Sequence, residues 1–304
     1  MTLFSAASKN VFFLSLILSA FPVFAEQQVT DNIAPELATG QTQQVEVTGK
    51  KWMVSAANPH ASQAGADILR NGGSAIDAMV AIQTVLGLVE PQSSGIGGGA
   101  FLVYWDNKAK RLTTFDGRET APSLATPRLF QLDDGEKMSF FDAVVGGRSV
   151  GVPGTLKLLH DTHRQYGNLA WPRLLAPAIS LADKGFTISP RLASLIEKDA
   201  ERLSRFPATA AHFLDESGAP KAVNTVLKNP NYADTLRLVA KDINHFYQAR
   251  LRRISSIRFE MSVATPASYV CKTSPIMKSK KDRLSVRLIM AMRFAAWGPR
   301  RQEA

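Results

Sequence analysis

Polar punctuation divides this chain into apolar stretches of helical and strand period. His60–Arg70 reads as a helix with Ala64, Ile68 and Leu69 on one face, closed by Asn71-Gly72. Ser74 followed by Asp77 forms a capping box that launches a second helix through about Leu88. Ala, Val, Ile and Leu occupy nearly every side of that helix, which predicts burial on most faces. Lys51–Ala57 has strand character up to the break at Asn58-Pro59, and Val144–Val150 reads as another short strand. Phe101–Trp105 and Arg111–Phe115 flank Asp106-Asn107-Lys108, the pattern of a hairpin. Gly151-Val152-Pro153-Gly154-Thr155 leads into a helix over Leu156–Tyr166. Further helices are predicted over Trp171–Gly185, Ser189–Leu203 and Tyr232–Lys241. Strands packed with several long helices indicate a layered α/β or α+β architecture.

Two stretches stand apart from this body. Residues 1–25 read as a signal peptide: Lys9 supplies the basic n-region, Val11–Val23 the apolar run and Val23-Phe24-Ala25 the cleavage site before Glu26. The expected location is therefore periplasmic or secreted. Residues 26–50 are polar and read as a flexible leader. At the other end, 249–304 holds 13 Lys+Arg and 3 Asp+Glu, which leaves 23 of each for residues 1–248. The formal charge of +10 thus belongs wholly to the tail and carries no nucleic-acid reading for the body. The one cysteine, Cys271, lies in that tail, so no internal disulfide can form.

Candidate chemistry sits between the two predicted helices and the hairpin's end. Gly95-Ile96-Gly97-Gly98-Gly99-Ala100 formally fits a dinucleotide fingerprint, which requires a preceding strand and a following helix. The predicted order is the reverse, so the glycines serve packing or shape a pocket. No Gly-Lys-Ser/Thr follows any glycine run, which excludes a P-loop. Sixteen residues beyond the glycine block, Asp116-Gly117-Arg118-Glu119-Thr120-Ala121-Pro122 sets one forked guanidinium in a short turn. Arginine can meet both oxygens of a small carboxylate in one plane. Glu119 reads as its local partner or a capping group. His160 and His163, three apart on a predicted helix, are half a metal site at most and read as a solvated face. His60 reads as an organiser of its turn.

These blocks, with Asn58-Pro59-His60-Ala61-Ser62 and Asn71-Gly72-Gly73-Ser74-Ala75-Ile76-Asp77-Ala78, resemble the large subunit of the γ-glutamyltransferases (glutathione hydrolases) over about Val54–Gln248. The resemblance implies an α+β fold, the N-terminal nucleophile hydrolase αββα four-layer sandwich, here incomplete. It implies cleavage of γ-glutamyl amides such as glutathione, with transfer to water, amino acids or peptides and no cofactor. Arg118 becomes the ligand of the substrate's α-carboxylate. The self-exposed threonine that is nucleophile and base in the family belongs to a small subunit. No Thr-Thr-His processing site is found in these 304 residues, and Thr113-Thr114 lie in a predicted strand. The implied partner is that small subunit, with neither nucleic acid nor a membrane beyond export.

After the region 51–248 the family pattern stops. The family continues Phe-Tyr-Gln with Gly-Glu-Ile, where this chain has Ala249-Arg250-Leu251. Codons for Ala296–Glu303, read one base earlier, permit Gly-Met-Gly-Pro-Pro-Ser-Ser-Gly, a stretch of the family's large subunit. A frameshift near Gln248 is therefore expected, with 249–304 a disordered tail. Two other readings stay open: a fragment of a related acylase, such as a cephalosporin acylase or capsule-cleaving relative, and a non-catalytic secreted protein with an anion-binding tail.

Overall fold

The protein is described by a computed structural model, which covers residues 46–122, 125–247 and 280–282. The signal segment, most of the leader, Cys271 and nearly all of the tail lie outside the described residues.

Asn58 opens helix α1 (Pro59–Arg70) by accepting the His60 amide, and Ser74 opens α2 (Ala75–Val89) through the full capping box with Asp77. Helix α2 is the centre of the body. Its apolar residues face α1, α4 (Thr155–Tyr166) and α5 (Trp171–Lys184), and α5 packs in turn on α8 (Pro230–Lys241). Val80, Ala81, Leu156, Leu174, Leu175 and Leu236 are sealed at the contacts among these helices. The all-round apolar pattern of α2 is thus explained by neighbours on several sides. Between them the chain forms α3 (Phe140–Val144), α6 (Pro190–Ser204), α7 (Pro207–Phe213) and α9 (Asn244–Tyr247).

Strands β1 (Ala100–Asp106) and β2 (Arg111–Gly117) form the expected antiparallel hairpin, with Leu102 opposite Phe115 and Ala100 opposite Gly117. Phe115 and Tyr104 meet Tyr166 of α4, at centroid distances of 6.2 and 4.6 Å. The opposite face of β1 carries Phe101, Val103 and Trp105, all exposed. Two short strands, β3 (Phe186–Thr187) and β4 (Val226–Leu227), pair beside α6, and β5 (Lys280–Asp282) adds to the free edge of β2.

Three expectations need correction. Lys51–Ala57 forms no strand, because no neighbour among the described residues completes a ladder with it. Val144–Val150 is not a strand either. Ser139 caps α3 at the Asp142 amide, and Gly147–Ser149 makes a single 3₁₀ turn after Gly146. The local serine cap and glycines outcompete the β-branched residues there. His160 and His163 do not form a solvated face: both pack on Trp171, with centroids 5.4 and 5.3 Å away. Among the described residues, no helix is long and apolar enough to cross a membrane.

Candidate functional site

Three loops converge at one end of the sheet. The first is the glycine stretch Gly95–Gly99, which runs from helix α2 into strand β1, the order that excludes a dinucleotide fold. The second is Arg118-Glu119-Thr120, directly after β2. The third is Gly151–Gly154, leading into α4. Thr120 and Val152 exchange backbone hydrogen bonds of 3.4 and 2.8 Å, joining the second loop to the third. The amides of Gly154 and Thr155 both donate to the Gly98 carbonyl at 3.0 Å, joining the third to the first. The start of α4 is therefore capped by the glycine loop instead of by a side chain.

Two glycines make this convergence possible. A Cβ on Gly154 would overlap the Gly117 carbonyl, and one on Gly99 would lie 2.8 Å from Cδ of Glu119. Only bare backbone can come this close.

A cavity of about 430 Å³ opens beside the glycine loop, lined by Gln83, Ser93, Ser94, Gly98, Gly99 and Glu119 among others. Gln83 donates to the Ser94 hydroxyl at 2.6 Å, fixing one wall. The other wall carries Glu119, whose carboxylate lies 3.3 Å from Nε of Arg118. Arg118 is not itself a lining residue. Its amide is held by Asp116 at 2.9 Å, while its side chain is 70% exposed at the edge of the site. The structure thus brings Arg118 to the glycine loop through Glu119, as an ion pair whose guanidinium keeps most of its donors toward solvent.

Sequence reasoning missed the bracing of this loop. Glu90, at the end of α2, is almost fully buried and accepts from Asn58 (2.8 Å), Gln92 (2.7 Å) and Arg191 (2.9 Å). Its carbonyl receives the amides of Ser93 and Ser94 at 3.0 Å. A carboxylate directly after the apolar last turn of a helix was the available signal, since such a group must find partners when buried. His60 also differs from expectation. Its side chain is exposed and Asn58 organises the turn, with His60 giving only its amide.

Further along α4, His160 and Lys157 both reach Asp161. Burial raises the pKa of Asp161, but His160, 3.5 Å away, and Lys157, hydrogen-bonded at 2.6 Å, outweigh it and the net shift is downward from 3.8. A carboxyl depressed in the folded state stabilises above its unfolded pKa, and that stability is lost as pH falls below it. Acid unfolding below pH 3.8 should therefore be shallower in Asp161→Asn, a difference that melting curves along a pH series would register. Among the described residues, no cluster of three His, Cys, Asp or Glu is placed to hold a metal.

The model of the gamma-glutamyltranspeptidase family matches residues 61–253, almost all of the helices, sheet and loops just described. The chain belongs to this family. Within the gamma-glutamyltranspeptidases, the glutathione hydrolase proenzyme of Bacillus subtilis (strain 168) is 40% identical over 242 residues. That alignment takes in 79% of this chain and 40% of the relative, so the chain spans well under half of that protein's length. The acylase ACY 1 proenzyme of Pseudomonas sp. (strain V22) is 37% identical over 213 residues, 68% of this chain and 38% of its own. Among solved structures, the gamma-glutamyltranspeptidase of Helicobacter pylori superposes with a TM-score of 0.71 at 26% identity, covering 78% of this chain and 67% of that one. The mixed helix and strand body is accordingly part of the N-terminal nucleophile hydrolase fold of gamma-glutamyltranspeptidases.

Proposed function

We propose that this chain carries the substrate-recognition part of a secreted γ-glutamyltransferase or glutathione hydrolase precursor. The observation that carries the reading is Arg118, held by Glu119 at the rim of the glycine-loop cavity. A γ-glutamyl group ends in a free α-amino acid, and a forked guanidinium is the side chain suited to its carboxylate. An acylase acting on substrates without that carboxylate has no use for such a clamp, so Arg118 favours the glutamyl reading.

In this reading the chemistry itself is nucleophilic. A threonine hydroxyl attacks the γ-amide carbonyl, the α-amine of the same residue takes the proton, and backbone amides receive the developing oxyanion. The intermediate collapses to a γ-glutamyl ester on the threonine as the C–N bond breaks and the α-ammonium returns its proton to the leaving amine. Water or an acceptor amine then attacks the ester carbonyl, giving its proton to the α-amine. The C–O bond breaks to release glutamate or a new γ-glutamyl amide and restore the threonine hydroxyl. We place that threonine in the part of the relatives' length that this chain does not span. The exposed face of Phe101, Val103 and Trp105 agrees with this, because a second sheet packed there would complete a sandwich. Export through the apolar segment Val11–Val23, a small subunit as partner and a reading-frame shift near Gln248 belong to the same proposal.

The test is turnover of a chromogenic γ-glutamyl anilide. The 304-residue chain should release no anilide, while a gene with one base restored near the Gln248 codon should yield a self-cleaved, active enzyme. Turnover by the purified 304-residue chain would show that a nucleophile within it has been overlooked.

A further inference from the structure

Tyr247 lies at the C-terminal end of the described body, far from the glycine loop in sequence, yet its hydroxyl reaches the start of α4. It accepts the Lys157 amide at 3.1 Å and donates to the Pro153 carbonyl at 3.0 Å. Burial of this phenol pushes its pKa well up, which keeps it a neutral hydroxyl able to serve both partners.

The first turn of a helix leaves amides without intrahelical partners, and Gly154 has no side chain with which to cap α4. Thr155 does not substitute, since its buried hydroxyl finds no hydrogen-bond partner. Three amides at this end are satisfied from two distant places: Gly98 takes those of Gly154 and Thr155, and Tyr247 takes that of Lys157. Tyr247 thus fixes the helix end on which the glycine loop hangs. Gly98 and Gly99 lie beside the Glu119 carboxylate, so close that a Cβ on Gly99 would overlap it, and Glu119 pairs with Arg118.

We propose that Tyr247 is a positioning residue for the Arg118 site, acting through the N-terminus of α4 and the glycine loop. The proposal rests on the reading of Arg118 above, but its primary test does not require it. In the full 304-residue chain, Tyr247→Phe removes one hydroxyl and keeps the ring. Amide hydrogen exchange should accelerate about tenfold at Lys157, Thr155 and Gly98–Gly99, the scale of one lost hydrogen bond. Protection in α1, α5 and α8 should stay unchanged. The Nε resonance of Arg118 should also move, a signature that a remote packing defect would not produce.

Unchanged exchange at Lys157 and Gly98–Gly99 would overturn the proposal. So would a uniform rise in every helix, which would make Tyr247 a general stabiliser. Where the phenylalanine variant fails to fold, 3-fluorotyrosine at position 247 weakens the hydroxyl as an acceptor without changing the ring's packing. It should speed exchange at Lys157 selectively, and the absence of any effect there would count against the proposal. Titration with L-glutamate separates the two readings. If glutamate leaves the wild-type Arg118 resonance in place, the assignment of Arg118 fails, while the exchange data still decide the role of Tyr247.

Discussion

Replacing Asp77 by alanine is expected to destabilise the body by about 3–5 kcal/mol, a cost typical of breaking a buried charged network. Asp77 has no solvent exposure. One of its oxygens accepts the amides of Ser74 at 2.8 Å, Asn168 at 2.8 Å and Leu169 at 3.1 Å. The other lies 3.6 Å from Nε2 of His163, which also meets the Leu169 carbonyl at 2.8 Å. One carboxylate therefore opens α2 and ties it to the loop after α4. Alanine would strand those three amides away from water, and each buried unsatisfied group costs about 1–3 kcal/mol before relaxation. Asparagine retains one oxygen in place and should cost less, roughly 1–2 kcal/mol. Urea unfolding followed by circular dichroism gives both values. A loss below about 1 kcal/mol for alanine would mean that the loop relaxes and finds other partners.

Asp77 also shows what the sequence can and cannot disclose. Its half of the capping box is local, three residues from Ser74, and was legible. Its bonds to Asn168 and Leu169 span more than ninety residues and follow no periodicity. The same division runs through the fold. Helices α1, α2, α6 and α8 announce themselves by caps and apolar spacing, α4 and α5 by apolar spacing, and the hairpin by alternation around Asp106-Asn107-Lys108. Lys51–Ala57 misleads because a strand exists only with a partner, and composition cannot supply one. Val144–Val150 misleads because glycine and serine geometry overrides β-branched content. In the site, Arg118 and the glycine loop were named from their residues. Glu90 and Tyr247 were not, since each acts through contacts made only after folding.

The second large effect concerns Arg118. Its guanidinium is already paired with Glu119, so under the proposed function a γ-glutamyl carboxylate would engage the donors that this pairing leaves open to solvent. Substitution by alanine removes both the charge and the fork. Lysine keeps the charge but loses the two parallel bonds to a carboxylate. In a complete, self-cleaved enzyme, Arg118→Ala should cost about 1.5–3 kcal/mol of glutamyl binding, the scale of hydrogen bonds to a charged group, because a side chain 70% exposed is too well screened for the larger cost of a buried pair. It should be read as a rise in KM or a fall in kcat/KM for γ-glutamyl substrates, with self-cleavage intact. Arg118→Lys should fall between wild type and alanine.

Recognition can be measured without turnover, and that is the most direct test. The 304-residue chain is titrated with L-glutamate, and with γ-aminobutyrate, which lacks the α-carboxylate, while the Arg118 Nε resonance is followed by NMR. Glutamate should shift that resonance saturably, γ-aminobutyrate should not, and Arg118→Ala should abolish glutamate binding measured by calorimetry. Equal responses to the two ligands, or glutamate binding that survives Arg118→Ala, would contradict the assignment of this loop as the γ-glutamyl carboxylate site.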